Sequence, residues 1–177
     1  MKNNAMTAKG MFINMGYVED IRALIGRRRI VLNASIVIIR NGRNEILLQH
    51  RVYPPGKLGL PGGIMELGES TEETARREVL EETGLVLGRL SLIGVYSGKD
   101  YLCVAQNGDE WYSVTTAYAT NEFTGKLSVN DNESVAFEWF DVLNLPDNIA
   151  KTQRSAIDDY LSYVNPRSQS SVYKKST

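Results

Sequence analysis

The chain has 177 residues, 42% of them apolar and 23% charged, with a formal net charge of −1 at neutral pH. These values are typical of a single globular domain, and the balanced charge argues against a general affinity for nucleic acid or membrane surfaces. No apolar run approaches the roughly 20 residues that span a bilayer, the N-terminus lacks a signal-peptide core, and the single Cys103 cannot form an internal disulfide, so we expect a cytoplasmic protein.

The first part of the chain carries one helical pattern and two strand patterns. Apolar spacing in Tyr17–Ile25 predicts a short amphipathic helix. The β-branched run Val31–Ile39 predicts a buried strand, and Glu45–His50 predicts a second strand. Because Asn41 and Gly42 supply a turn signal between these strands, we predict that they form a hairpin.

The C-terminal half indicates four further strands, namely Ser91–Tyr96, Tyr101–Ala105, Trp111–Thr120 and Val135–Phe140. The turn signal at 107–110 predicts a hairpin between the second and third of these strands. Apolar positions in Lys151–Val164 form a helical stripe and predict a terminal helix. Strands mixed with a central and a terminal helix predict an α+β fold, with helices on the faces of a mixed sheet.

The central helix has clear start and stop signals. Ser70 followed by Glu73 is a capping box, so the helix is expected to begin at about Thr71. Gly84 is placed to end the helix in a left-handed conformation. The side of the helix that faces the protein interior is expected to carry Ala75, Arg76, Val79 and Leu80.

Three carboxylates lie on the other side of this predicted helix. Glu78, Glu81 and Glu82 have i, i+3 and i+4 spacing, which gathers them on one face. Like charges so placed repel one another unless a positive group lies among them. A hard divalent cation such as Mg²⁺ or Mn²⁺ would offset that repulsion. The Gly-rich loop at 60–63 precedes the helix and could add a carbonyl oxygen ligand.

Residues 63–85 resemble the Nudix box, G-x5-E-x7-R-E-U-x-E-E-x-G-U, in which U is a bulky aliphatic residue. The fixed positions of this pattern are all matched, by Gly63, Glu69, Arg77, Glu78, Val79, Glu81, Glu82, Gly84 and Leu85. The resemblance implies the Nudix α/β/α sandwich, built on a mixed β-sheet, in which the box forms a loop-helix-loop against the sheet.

The strand order extends this resemblance to a Nudix hydrolase domain at residues 30–164. Residues 1–29 form an N-terminal extension that contains the short helix, and residues 1–15 within it carry few structural signals. This extension is a candidate for homodimer contacts, as extra segments are in some relatives. Residues 165–177 are polar and Ser-rich, and we expect them to be disordered.

The resemblance also implies a reaction, the Mg²⁺-dependent hydrolysis of a pyrophosphate bond in a nucleoside diphosphate joined to another group, X. It makes Glu78, Glu81 and Glu82 metal ligands, with the carbonyl of Gly62 as an additional ligand and Mn²⁺ as a substitute cation. The two remaining polar box residues, Glu69 and Arg77, match positions that hold the loop and helix together, a task that suits an Arg–carboxylate fork.

Family members differ in their catalytic base, so two alternatives stay open. The base is either a box glutamate or Glu133, which lies just before a predicted strand where some relatives carry a loop carboxylate. Arg51 follows the strand Glu45–His50 at a position where relatives often keep a basic residue that faces the phosphates. Tyr101 lies where dinucleoside-polyphosphate members often have tyrosine, and it is a candidate substrate contact.

The box leaves the identity of X open. ADP-ribose-type members often carry a proline shortly after the box, whereas this chain has none between Pro61 and Pro146. A MutT-type nucleoside triphosphate pyrophosphohydrolase is therefore the first choice, ahead of enzymes for nucleotide sugars, ADP-ribose or dinucleoside polyphosphates. A non-catalytic Nudix domain that senses a nucleotide is the alternative of another class. Nucleic acid is not an expected partner, because the sequence shows no clear basic groove.

Overall fold

The computed structural model of the protein describes residues 16–164 and the backbone of two short segments, 4–6 and 12–14. These segments are antiparallel strands, in a region where the sequence indicates no element. The tail at 165–177, for which the sequence predicts disorder, lies outside the described residues. No helix in the described ranges is long and apolar enough to cross a membrane.

The first elements are β1 (Asn4–Met6), β2 (Phe12–Asn14), α1 (Tyr17–Ile25), β3 (Ile30–Ile39), β4 (Glu45–Arg51), β5 (Leu58–Gly59), β6 (Gly62–Ile64) and α2 (Thr71–Thr83). After these come β7 (Leu85–Leu87), β8 (Ser91–Tyr96), β9 (Leu102–Val104), β10 (Glu110–Thr120), β11 (Phe123–Gly125), β12 (Ser134–Asp141) and α3 (Lys151–Val164). The predicted helices and long strands are confirmed within a few residues, whereas β5, β6, β7 and β11 are too short to leave a pattern in the sequence.

The central sheet has the strand order β6-β3-β10-β8, and β9 also pairs with β10. Strands β3 and β10 are parallel, while β6, β8 and β9 pair antiparallel with their neighbours, so the predicted mixed sheet is confirmed. The predicted β9–β10 hairpin is also confirmed. Tyr101, expected in a strand, instead ends a 3₁₀ turn at Lys99–Tyr101 that leads into β9.

The predicted hairpin between β3 and β4 is wrong. The two strands share a single bridge, Arg40 to Ile46, and then diverge into different sheets. Strand β3 uses its two edges for β6 and β10, while β4 pairs with β12 and β5 in a second, antiparallel sheet. The turn signal between the strands was real, but hydrogen bonding to later parts of the chain decided which edges paired.

Two apolar cores lie on opposite faces of these strands. Residues of β3, β4 and β10 alternate between them, as Ile36 and Ile38 face one core and Val37 and Ile39 face the other. Helix α3 covers the first core, and α2 covers the second. This layered arrangement is the α/β/α sandwich that the resemblance implies.

Helix α2 has the predicted caps. Ser70 accepts a hydrogen bond from the Glu73 amide while the Glu73 carboxylate accepts one from the Ser70 amide, and Gly84 has φ of +72°. Ala75 and Val79 are fully buried, as expected, but Leu80 is 49% exposed. The buried side of α2 instead includes Thr74, Glu82 and Thr83, because the helix sits with its C-terminal half turned toward the loop at 60–63.

Helix α1 is attached to the rest of the protein through polar contacts. The Arg22 guanidinium donates to the carbonyl of Glu110, 2.9 Å away, and to the carbonyl of Arg28, 2.7 Å away. The Tyr17 amide donates to a Glu66 carboxylate oxygen at 3.0 Å, which joins the start of α1 to the loop before α2.

A core substitution tests this packing. Leu48 on β4 is fully buried in the core beneath α3, so Leu48→Ala is expected to lower the free energy of unfolding by about 2–5 kcal/mol. Leu143→Ala is the matched control, because Leu143 is 78% exposed and its loss should change stability by only a few tenths of a kcal/mol. Chemical denaturation of both variants makes the comparison. Equal losses would contradict the assigned core.

Candidate metal and catalytic site

The three box glutamates on α2 differ sharply in burial. Glu82 is buried with 6% of its surface exposed, Glu78 is half-buried, and Glu81 points to solvent. The difference follows from the rotation of α2, which places Glu82 against the Gly62 amide and Glu78 against Gly63 in β6. The glutamates therefore share one side of the helix without sharing one environment.

Glu82 is held from two directions. One carboxylate oxygen accepts a hydrogen bond from the Gly62 amide at 2.9 Å, and the other accepts one from the Gln49 side-chain amide at 3.2 Å. Burial is the main cause that raises the pKa of Glu82 to about 8, and the charges of Glu78, Asp131 and Glu133 raise it further. The Gly62 hydrogen bond opposes this rise. Glu82 is thus a buried acid among acids.

Glu78 lies against the backbone of Gly63. A side-chain β-carbon at Gly63 would fall 2.5 Å from the Glu78 carboxyl carbon, so no residue larger than glycine fits without moving Glu78. Burial raises the pKa of Glu78, and the charges of Glu81 and Glu133 add to that effect, whereas hydrogen bonding to Arg77 lowers it. Gly63 therefore makes room for the Glu78 carboxylate.

Arg77 is the positive group among these acids. Its guanidinium donates to both oxygens of Glu69, at 2.5 and 3.0 Å, and to the carbonyl of Ile64 at 3.0 Å. It also contacts Glu78 at 2.8 Å and Glu81 at 3.1 Å. The hydrogen bonds from Arg77 hold the pKa of Glu69 at about 2, while the Glu69 carboxylate raises the pKa of Arg77. Arg77 therefore joins the loop before α2 to the helix face.

Glu133 lies in a loop that returns to the end of α2. The amide of Asn130 donates to the Glu82 backbone carbonyl at 3.1 Å, and the amide of Ser128 donates to the Thr83 carbonyl at 2.9 Å. The charge of Glu133 contributes to the raised pKa of both Glu78 and Glu82. The structure thus brings the loop carboxylate and the box glutamates into one cluster, although the Glu133 side chain itself is exposed.

Three residues of this cluster were not predicted from the sequence as site residues, namely Gln49, Asp131 and Ser134. Gln49 is buried and contacts Glu82, and Ser134 joins Gln49 to Asp131. The available signal was the position of Gln49 in β4, since it follows three buried apolar residues in a strand where a polar side chain needs a partner. No sequence pattern identifies Asp131 or Ser134 as that partner.

Arg51 and Tyr101 are the two residues that the sequence predicts as substrate contacts. Arg51 ends β4 directly beside Ser134, and its Nε donates to the Tyr53 carbonyl at 3.0 Å. Its charge opposes the burial-driven rise in the pKa of Cys103, so Arg51 also lies near β9. Tyr101 packs against Tyr96 with ring centroids 6.4 Å apart. Arg51 therefore lies beside the acidic cluster, whereas no contact in the described residues joins Tyr101 to it.

The oxygen-rich cluster fits a hard divalent cation by its chemistry. Glu78 and Glu82 are partly or fully buried, and their raised pKa values indicate that too little positive charge surrounds them. A divalent cation would supply that charge. Within the described ranges, no group of three His, Cys, Asp or Glu side chains already converges as a cation site. Arg77 contacts Glu78 and Glu81 instead, so these two side chains would have to turn from Arg77 toward a cation.

The Glu69–Arg77 pair predicts a pH dependence. The pKa of Glu69 falls from an ordinary 4.5 to about 2 on folding, so its stabilisation is fully present above pH 4.5 and is lost as the pH falls toward 2. We expect Glu69→Gln to reduce the free energy of unfolding by about 1–2 kcal/mol at pH 7 and to approach the wild type near pH 2.

Denaturant unfolding between pH 7 and pH 2 measures this difference. Glu72→Gln is the control, because Glu72 is an exposed acid three residues away, in the first turn of α2. A constant gap between Glu69→Gln and the wild type across the whole range would contradict the assigned ion pair.

Comparisons with known proteins identify the family of this chain. The family model described as NUDIX domain matches residues 30–160. An ADP-ribose pyrophosphatase of Methanocaldococcus jannaschii is 34% identical over 141 residues, which cover 77% of this chain and 79% of that protein. A NAD-capped RNA hydrolase, NudC, of Vibrio atlanticus is 30% identical over 115 residues, and there the match covers 63% of this chain and only 38% of the relative.

A solved structure, a MutT NUDIX hydrolase from Burkholderia pseudomallei, superposes with a TM-score of 0.61 at 28% identity and covers 73% of this chain and 97% of that one. The family model spans most of the chain, including the complete box and the acidic cluster around Glu82. The chain therefore belongs to the Nudix family and is a hydrolase of nucleotide pyrophosphate bonds.

Proposed function

We propose that this hydrolase acts on a nucleoside diphosphate joined to a further group X and that it requires Mg²⁺, with Mn²⁺ as a substitute. The observation that carries this proposal is the buried Glu82 carboxylate, held by the Gly62 amide and surrounded by the charges of Glu78 and Glu133. Glu78, Glu81, Glu82 and the carbonyl of Gly62 are the residues that would hold the cation. When bound, such a cation neutralises phosphate oxygens and makes a water molecule more acidic.

The remaining residues have positional roles in this proposal. Arg77 and Glu69 keep the loop at 60–70 against α2, because the guanidinium contacts both the Glu69 carboxylate and the Ile64 carbonyl. Arg51 lies beside the start of β12, and its positively charged guanidinium would bind the phosphates of the substrate. Glu133 is the candidate that accepts a proton from the attacking water, and a box glutamate is the alternative.

We propose that the substrate is a nucleoside triphosphate, so that X is a phosphate group. The protein would then be a MutT-type pyrophosphohydrolase. The absence of proline between Pro61 and Pro146 supports this choice over ADP-ribose, and the solved MutT structure is a similar protein. ADP-ribose is the second candidate, because the archaeal relative at 34% identity carries the name ADP-ribose pyrophosphatase. Nucleotide sugars and dinucleoside polyphosphates remain further alternatives.

A non-catalytic nucleotide sensor is the contrasting hypothesis. Such a domain has no need of a buried carboxylate in a cluster of acids, because an isolated negative cluster costs stability. In this chain, Glu78 and Glu82 both have raised pKa values, and α2 retains every acid of the box. We therefore favour catalysis over sensing.

A substrate panel tests the assignment of X. Normal and oxidised nucleoside triphosphates, ADP-ribose, nucleotide sugars and dinucleoside polyphosphates would be incubated with Mg²⁺ or Mn²⁺. Phosphate would be measured after inorganic pyrophosphatase for the triphosphates and after alkaline phosphatase for the other compounds, because alkaline phosphatase attacks a triphosphate directly. We expect nucleoside triphosphates to give the highest kcat/KM. A higher value for ADP-ribose would transfer the assignment to that substrate. Cation binding without turnover of any compound would favour the sensor.

Glu82→Gln tests the cation site itself. Mutation of a residue that only supports a metal ligand typically lowers activity or metal affinity about 10–100-fold. Loss of the ligand Glu82 itself should therefore lower Mg²⁺-dependent kcat by more than about 100-fold. The fold should persist, since the amide replaces a buried acid whose raised pKa costs the metal-free protein stability as the pH rises from 4.5 to about 8.

Thermal unfolding at pH 8 supplies a readout that does not depend on turnover. Added Mg²⁺ should raise the Tm of the wild type and leave that of Glu82→Gln nearly unchanged. Glu72→Gln, an exposed acid on the same helix, should respond to Mg²⁺ as the wild type does. Near-normal turnover by Glu82→Gln would remove Glu82 from the ligand set.

A further inference from the structure

A chain of buried hydrogen bonds runs from Glu82 to the loop that carries Glu133. The side-chain nitrogen of Gln49 donates to Glu82 Oε1 at 3.2 Å and to Ser134 Oγ at 2.6 Å. The Ser134 hydroxyl donates to Asp131 Oδ2 at 2.9 Å. Gln49, Glu82 and Ser134 are all more than nine-tenths buried, so water does not compete for these contacts.

The direction of each hydrogen bond in this chain follows from its end groups. The Asp131 carboxylate can only accept, so the single hydroxyl hydrogen of Ser134 is donated to it, and Gln49 must present its NH₂ group to Ser134 and Glu82. Ser134 consequently accepts the second hydrogen of the Gln49 amide. Gln49 joins the box glutamate to the loop serine, because its side-chain nitrogen contacts both.

Asp131 connects this chain of hydrogen bonds to the backbone of Glu133. Its Oδ1 accepts hydrogen bonds from the amides of Glu133 at 2.7 Å and Ser134 at 2.6 Å. The Glu133 carbonyl accepts from the Val52 amide at 2.8 Å. Glu133 is therefore fixed on both sides of its peptide, while its exposed side chain is left to face the cluster.

We propose that Gln49 and Ser134 are positioning residues that set the Glu82 carboxylate and the Glu133 loop in one arrangement for hydrolysis. This inference rests on the proposed function. Gln49 orients the carboxylate that would hold the cation, together with the Gly62 amide on its other oxygen. Ser134 acts through Asp131 on Glu133 and does not contact Glu82 directly, so the two residues have separable effects.

Two substitutions separate these effects. Gln49→Met keeps the length of the side chain and removes both donors, so the Mn²⁺ dissociation constant should rise about 10–100-fold. Ser134→Ala should lower kcat about 10-fold while the KM for the nucleotide and the Mn²⁺ affinity change less than about threefold, because Gln49 loses one partner but keeps its donor for Glu82. Ser134→Thr keeps the hydroxyl and should restore most of the lost kcat.

A double substitution distinguishes positioning from general destabilisation. If Ser134 acts through Glu133, then Ser134→Ala should lower kcat less than about twofold further in a Glu133→Gln background. Ser113→Ala is the matched control, since Ser113 is also a buried strand serine and its hydroxyl lies 2.7 Å from that of Thr115. The control should leave kcat, KM and Mn²⁺ affinity unchanged.

Several outcomes would overturn the proposal. These are multiplicative losses in the double variant, a Ser134→Ala enzyme that matches Ser113→Ala, or an unchanged Mn²⁺ affinity in Gln49→Met. If no nucleotide is hydrolysed by the wild type, the proposed function fails separately. The positioning role is then decided by Mn²⁺ affinity in Gln49→Met and by amide hydrogen exchange at Glu133 and Ser134, which should accelerate in Ser134→Ala alone.

Discussion

The arrangement of the site depends on one buried acid, Glu82, and on what its ionised carboxylate requires. A carboxylate removed from water is costly unless hydrogen-bond donors and positive charge surround it. Here the Gly62 amide and the Gln49 side chain supply the donors. The charges of the nearby acids Glu78, Asp131 and Glu133 destabilise the ionised form of Glu82 further, since each raises its pKa. The cluster is therefore unfavourable by itself and suited to a partner of opposite charge.

Arg77 supplies positive charge to the other acids of the box without such a partner. A single guanidinium contacts Glu69, Glu78 and Glu81 and also reaches the Ile64 carbonyl. The planar group can satisfy several acceptors at once, which a lysine could not do in the same geometry. Glu82 is the box acid outside its reach, and for that reason Glu82 depends on the backbone and on Gln49.

Much of the site was predictable because its residues are close in sequence and follow helical spacing. Glu78, Glu81 and Glu82, the caps of α2 and the proximity of the loop at 60–63 all follow from local rules. Local rules failed for the β3–β4 hairpin, where a turn signal could not say that both edges of β3 would pair with other strands. They also misjudged Leu80, which faces solvent.

The sequence by itself determined the family, the helix that carries the acids and the α+β class, because each is written in periodicity or in a contiguous motif. Tertiary structure alone decided which glutamate is buried and which residues support it. Gln49 lies within β4, whereas Ser134 begins β12, 85 residues farther along the chain, and Asp131 lies in the loop before β12. A hydrogen bond across such distances depends on sheet register and helix rotation, and no local pattern encodes either one.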